Sequence, residues 1–281
     1  MNGIRQIVVV SDLHCGCQLG LCPPSDQYHV PLDGGGWYNP SVLQQKVWEW
    51  WELFWREWVP HNTRGEPFAI VINGDALDGV HHGSNTQITH NIADQISIAA
   101  ACLTPFITAA EVVYVVRGTE AHVGPSAQNE EILAERIGAK RTAEGRYSRD
   151  ELRLRVGGAL VDIQHHISPV NSTAFETTAL QKEYVIACEE AGKWGVALPD
   201  VIVRSHRHRL AKTEVPAEKG SGIAITTPGW QLRTPYAFRL AGARQSMPQF
   251  GGILVRDGAD FIYTKHQVWS IERTPIEIAG A

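Results

Sequence analysis

Ile7-Val8-Val9-Val10-Ser11-Asp12-Leu13-His14 is the stretch from which the rest of the chain can be read. Four β-branched apolar residues in a row predict a buried strand. The run stops at Ser11, and a carboxylate and an imidazole follow, two residues apart. In an extended backbone, residues i and i+2 point to the same side. Asp12 and His14 can therefore reach one ion together. Such a pair at the carboxyl end of a parallel strand suits a divalent transition metal. Alone, Asp-x-His is usually no more than a turn, so its weight depends on how the later strands end.

Four more end in the same manner. Phe68-Ala69-Ile70-Val71-Ile72 predicts a second buried strand, followed by Gly74-Asp75-Ala76-Leu77-Asp78. Gly74 permits an unusual backbone where the strand must turn, which sets Asp75 beside Asp12 if the two strands are neighbours. Val112-Val113-Tyr114-Val115-Val116 predicts the third strand and runs into Arg117-Gly118-Thr119-Glu120-Ala121-His122. Residues 152–156 and 160–164, joined through Gly157-Gly158, predict a hairpin whose second strand meets His165 and His166. Residues 200–204 predict the next strand, with Ser205-His206-Arg207-His208 at its end. One polar strand end is compatible with chance; five in succession are hard to explain by core packing.

Between these strands the reading is coarser. Residues 16–40, rich in Gly, Pro, Asp and Tyr, form a long insertion leaving the first strand end, as a wall of the site's mouth would. Ser41 is placed as the N-cap of a helix over 42–58, stopped by Pro60. Its Trp48, Trp50, Trp51, Trp55 and Trp58 spread too widely for one stripe, so packing on several sides is expected rather than base stacking. A helix over 92–108 bends near Pro105, and another runs from a Ser126 cap to Gly138. Thr173-Ala174-Phe175-Glu176 has the form of a capping box, opening a helix that ends before Gly192. Strands over 222–226, 251–256 and 260–265 close the chain, the last two around Asp257-Gly258. His81, His82 and His90 crowd the loop after Asp78 and are read as lying behind the ligands or facing substrate.

The chain has 281 residues, 43% hydrophobic and 20% charged, as expected of one large α/β domain spanning 1–281. A net charge of −5 offers no global basic field for nucleic acid, although a local patch is compatible with it. No apolar run reaches the ~18 residues of a membrane span, so no membrane partner is expected. The early first strand is read as leaving no room for a signal peptide. Five cysteines are read as reduced thiols of a cytoplasmic protein. Cys15, Cys17 and Cys22 are taken as small residues of a tight loop, with a thiolate site as the alternative.

The strand ends together resemble the calcineurin-like metallophosphoesterases, whose signature is D-x-H, G-D-x-x-D, G-N-H-[DE], a lone His, and G-H-x-H. The resemblance spans residues 8 to about 208 and looks most like phage and prophage members. It implies an α/β fold, a four-layer αββα sandwich of two mixed β-sheets flanked by helices. It also implies two divalent cations, manganese first, with iron, zinc, cobalt or nickel as alternatives. One ion would be held by Asp12, His14, Asp75 and His208, the other by Asp75, His165 and His206; His165 is preferred to His166. A water held between such cations loses its proton near neutral pH and attacks phosphorus in line. The implied activity is phosphoester hydrolysis. Its substrate is a diester such as a nucleotide or nucleic acid, or alternatively a small-molecule or phosphoprotein monoester. A fold-retaining binding scaffold is the rival.

The third block departs from the family. Thr119 stands where the asparagine ligand is expected, and serine replaces glycine at Ser205. Glu120 brings charge and two oxygens, so it is placed as the substitute metal ligand, with His122 as general acid. Arg117 and Arg207 are candidate phosphate clamps. The oligomeric state is left open.

Overall fold

The computed structural model describes residues 3–277 apart from 33, 82, 169–172, 218–219, 240–246, 259–260 and 273–275. His82 and the start of the 260–265 strand thus lie outside the described residues.

The strands are β1 (Gln6–Val10), β2 (Val30–Pro31), β3 (Trp37–Tyr38), β4 (Ala69–Asn73), β5 (Val112–Val116), β6 (Ser148–Arg149) and β7 (Leu152–Val156). After them come β8 (Ala159–Ile163), β9 (Val201–Arg204), β10 (Ala211–Ala217), β11 (Gly220–Thr226), β12 (Phe250–Asp257) and β13 (Ile262–Trp269). They build a six-stranded sheet in the order β13-β12-β1-β4-β5-β6 and a five-stranded sheet in the order β10-β11-β9-β8-β7. β1, β4, β5 and β6 are parallel, as are β8, β9 and β11, while the remaining strands run antiparallel. Both sheets are therefore mixed.

Strand alternation sorts the apolar side chains into three cores. Ile7, Val9, Val71 and Val116 of the first sheet meet Val161, Ile163, Val203 and Ile225 of the second, so the sheets face each other. Val8, Val10, Ile70 and Val115 point the other way, into helices α1 (Val42–Leu53) and α2 (Ile92–Ile107). Ile202 and Ala224 meet Leu180 and Tyr184 of a helix over Glu176–Trp194. Helix, sheet, sheet, helix is the expected four-layer order.

Ser41 caps α1 through a capping box with Gln44, as expected. Pro60 does not stop the helix. The turn over Phe54–Trp58 widens to π geometry, and helix continues through Val59–Thr63 to a left-handed Arg64. A wide turn of this kind accommodates a proline ring that would clash in a regular one. The tryptophans are packing residues: Trp48, Trp51 and Trp55 are buried, and Trp51 Nε1 donates to the Cys102 carbonyl at 3.0 Å. Two caps differ from the sequence reading. Ser126 has φ 56° and makes no cap, and the helix after it spans Gln128–Arg136. Thr173 starts a short 3-10 turn, and the helix behind it runs past Gly192 to Trp194, where Gly195 at φ 65° ends it. No described helix is long and apolar enough to cross a membrane.

Candidate metal centre

Because β1, β4, β5, β8 and β9 run in the directions they do, their carboxyl ends gather at one edge of the sandwich. Backbone bonds carry the alignment beyond the strands: Asp12 N–H donates to the Gly74 carbonyl at 2.9 Å, and His14 N–H to the Asp75 carbonyl at 3.0 Å. A buried hydroxyl chain ties the two sheets together beneath the site. Thr227 Oγ1 is 2.6 Å from Ser11 Oγ and 2.7 Å from Ser205 Oγ, and Ser205 Oγ accepts from Asn73 Nδ2 at 2.7 Å. Serine at 205, where the family pattern has glycine, is thus a member of this chain.

Backbone strain concentrates at the same edge. Asp12, His14, Asp75, His206 and His208 all have φ between 46° and 69°, a left-handed conformation that is costly away from glycine. The three remaining described non-glycine residues of this kind, Arg64, Ser126 and Ala127, lie in turns and caps. The turns can meet because glycines stand between them. A Cβ on Gly118 would lie 2.1 Å from Asp75 Oδ1, and one on Gly74 would lie 2.4 Å from His165 Nδ1.

The side chains converge in two overlapping groups. In the first, His208 Nε2 lies 3.2 Å from both Asp12 Oδ1 and His14 Nε2. In the second, His165 Nε2 lies 3.0 Å from Asp75 Oδ2 and 3.9 Å from Asp12 Oδ1, while His206 Nδ1 lies 4.0 Å from Asp75 Oδ2. Asp75 sits between the two groups. Asp12, Asp75 and His165 are fully buried or nearly so, whereas His206 is exposed. Several rings are held from behind, as metal-bound imidazoles usually are. His14 Nδ1 meets Asp78 Oδ1 at 3.2 Å, and His165 Nδ1 donates to the Asn73 carbonyl at 2.7 Å. That leaves Nε2 of each facing inward.

The electrostatics follow from two carboxylates in a buried cluster. Burial raises the Asp12 carboxyl, yet His208 and His165 outweigh it and bring it down to about 2. Asp75 is likewise held well below its ordinary range, burial opposed by His165 above all. Burial works against a charge on His165, but Asp75 and Asp12 raise it to about 10. Without bound cations, this histidine carries the balancing positive charge. His122 and His206 move the other way, to about 4, through burial together with charged neighbours, His14 and His165 respectively.

The donor set fits divalent cations. Asp12 Oδ1 is buried and has no hydrogen-bond partner, although ring nitrogens surround it. Two imidazole nitrogens 3.2 Å apart share at most one proton, and the spacing is one that two ligands of a common ion adopt.

Thr119, rather than Glu120, fills the gap in the third block. Its N–H donates to Asp75 Oδ1 at 2.6 Å and its hydroxyl to Asp75 Oδ2 at 3.0 Å, with His206 Nδ1 also 3.0 Å from that hydroxyl. Glu120 opens a short helix over Glu120–Val123, is exposed, and belongs to none of the converging groups. His122 is near the centre, with one ring nitrogen within 4.8 Å of His14 and Asp75 donors, while its Nδ1 meets the Asp78 carbonyl. Both arginines have partners outside the cluster, and Arg117 lines a cleft with Gly118 and His166. Arg117 reaches Asp150 Oδ2 at 3.1 Å and Ser148 Oγ at 3.0 Å, and Arg207 donates to the Ser168 carbonyl.

Two carboxylates were not among the candidate residues. Asp78 belongs to the G-D-x-x-D block and braces His14, with Gln87 Nε2 donating to its other oxygen at 2.8 Å. Glu130 gave no signal in sequence. It is fully buried, and its oxygens accept from Ala76 N–H at 3.1 Å and Gly118 N–H at 2.8 Å, joining the turns that carry Asp75 and Thr119. Burial and the nearby Asp75 charge push its carboxyl up to about 7. The cysteines near β1 are buried thiols, with burial pushing Cys17 up to about 11, so the small-residue reading fits and the thiolate reading does not. The insertion pairs Cys17 with Gln87 and thereby backs the Asp78 brace. His81 lies 3.7 Å from Asp78, and His90 is exposed.

No family model matches the chain, and no curated protein matches it. Among solved structures it is similar to vacuolar protein sorting 29 from Cryptosporidium parvum, at 9% identity and a TM-score of 0.40, over 96% of this chain and 100% of that one. It is also similar to a Thermotoga maritima protein solved in solution by NMR, at 9% identity and a TM-score of 0.34, over 95% and 100% of the two chains. Likenesses this distant leave the site to be read from its own geometry.

Proposed function

We propose that this chain is a metal-dependent phosphoester hydrolase of the calcineurin-like kind, acting on a phosphodiester such as a nucleotide or nucleic acid. The observation that carries the reading is the convergence of Asp12, His14, Asp75, His165, His206 and His208 from four strand ends onto one point, with a buried carboxylate oxygen left unpartnered. Asp12, His14 and His208 would hold one cation, His165 and His206 the other, with Asp75 shared between them. When bound, two such cations supply an activated water and offset the negative charge that develops on phosphoryl oxygens. Manganese is the first choice and iron, zinc, cobalt or nickel the alternatives.

The protein's own part is positional. Asp78 and the Asn73 carbonyl fix the rings of His14 and His165, and Glu130 fixes the turns carrying Asp75 and Thr119. His122 stands at the rim with Nδ1 committed to the Asp78 carbonyl, so Nε2 is the atom that would have to take up a proton, against a value lowered to about 4, before passing it to a leaving oxygen. Phosphate charge would fall chiefly to the cations, with Arg117, which lines a cleft beside His166, as the nearby guanidinium. The scaffold reading keeps one observation in its favour: a neutral hydroxyl, already bonded to Asp75, stands where the family has an amide.

Turnover of mono- and diesters, nucleotides and single- and double-stranded DNA, with each metal in turn, tests the reading. Hydrolysis of an aryl phosphodiester that EDTA abolishes is expected; none with any metal would leave the scaffold. His122→Ala should cost roughly 10²-fold on an alkyl ester and much less on a nitrophenyl ester, whose leaving oxygen needs no proton. Equal losses on both would remove the acid role.

A further inference from the structure

The second metal position has one more imidazole than the family pattern provides. β8 ends at Ile163, so His165 and His166 lie beyond the strand and need not face opposite sides. The His166 ring lies 5.1 Å from the His165 ring and 5.3 Å from the His206 ring, centre to centre. One nitrogen from each of the three falls within 4.8 Å of the others. His166 and Gly118, the residue before Thr119, also line one cleft.

We propose that His166 is itself a ligand of the second metal, taking up the coordination that the missing asparagine amide would have supplied. The inference rests on the metal reading above and adds to it a difference between the sites. Asp12, His14, His208 and Asp75 give two nitrogens and two carboxylates. Asp75, His165, His166 and His206 give three nitrogens and one carboxylate. Imidazole-rich sets favour cobalt, nickel, copper and zinc over manganese, so the second site selects a borderline ion where the first accepts manganese.

Cobalt(II) added to the metal-free full chain, followed by calorimetry and visible absorption, tests this without any turnover. The wild type should bind two ions per chain, and excess manganese should displace only one of them. His166→Ala should keep one tight site and weaken the other by at least about 10²-fold, losing one of two absorption signatures. The same pattern in His166→Phe, which keeps the ring shape but has no donor atom, covers a failure of the alanine variant to fold. Two unchanged cobalt sites in a folded variant would overturn the inference while leaving the metal reading intact. A wild type that binds no cobalt overturns both.

Discussion

On the β1 side of the centre, Asp12 and His14 are fully buried and His14 is braced by Asp78, itself held by Gln87. On the β8–β9 side, His165 is buried but His166 and His206 stand exposed, and their neighbour across the gap is the hydroxyl of Thr119. The first half is rigid and rich in carboxylate; the second is open and rich in imidazole. A buried, braced ligand set is organised before the ion arrives, whereas an exposed one still has side-chain freedom to lose. The first position should therefore bind its ion more tightly, and the second should be where substrate and solvent enter.

The largest effect tests what the halves share. Asp75 lies 3.0 Å from His165 on one side, and one of its oxygens lies within 4.8 Å of donors on His14 and His122 on the other. Asp75→Asn removes charge from both positions, so activity should fall by roughly 10³-fold or more. Elemental analysis should show both ions depleted. Retention of two ions per chain would mean that the halves are independent and Asp75 is no bridge.

A smaller loss should stay on one side. Asp78→Asn leaves every ligand in place but weakens the hold on His14 Nδ1. Loss of such a brace typically costs about 10–100-fold in metal affinity. Calorimetry should show the tighter site weakened and the other unaffected; a matching loss at both would show that the brace serves the whole centre.

Acid groups and strand ends separate what sequence could reveal from what it could not. Asp12, Asp75, His206 and His208 are legible because each follows a buried apolar run closely, and a strand end fixes where a side chain emerges. The three cores are legible for the same reason, since Ile7-Val8-Val9-Val10 has no polar face and must be covered on both sides. Glu130 is illegible. It sits in a helix of ordinary polar composition, and only the convergence of two distant turns gives its oxygens their partners. Glu120 was chosen on donor chemistry alone, and the short helix it opens lies outside the converging groups. Between His165 and His166 the sequence offers no distinction beyond the family pattern, because both lie past the end of β8.

Stripping the metals exposes a pH effect specific to the second half. In the metal-free protein, His165 is raised from 6.5 to about 10. Its folded value lies above its unfolded one, so its contribution is fully present below pH 6.5 and is lost as pH rises through about 10. Melting temperature in EDTA should accordingly decline across that window, and His165→Gln should flatten the decline. Saturating metal removes the need for a protonated histidine and should reverse the trend. An EDTA melt independent of pH between these limits would mean that the carboxylates find another counter-charge.

The smallest effect distinguishes two adjacent residues. Thr119 donates through both its N–H and its hydroxyl to Asp75, at 2.6 and 3.0 Å, and its hydroxyl also lies 3.4 Å from His165 Nε2. Glu120 is exposed and contacts none of these groups. Thr119→Ala keeps the N–H bond but removes the hydroxyl, which fixes one Asp75 oxygen and lines the second ion's position. A modest loss follows, about tenfold in kcat or in affinity at the second site, because a single hydrogen bond to a charged group is worth roughly 1.5–3 kcal/mol. Thr119→Ser should recover most of it, since only the hydroxyl matters. Glu120→Ala should stay within about twofold of wild type, as surface substitutions away from a ligand usually do. If Glu120→Ala instead weakens the second site more than Thr119→Ala does, the carboxylate must swing inward once an ion is bound. The second half would then be a site completed by its metal, and the contrast with the rigid first half would be wider still.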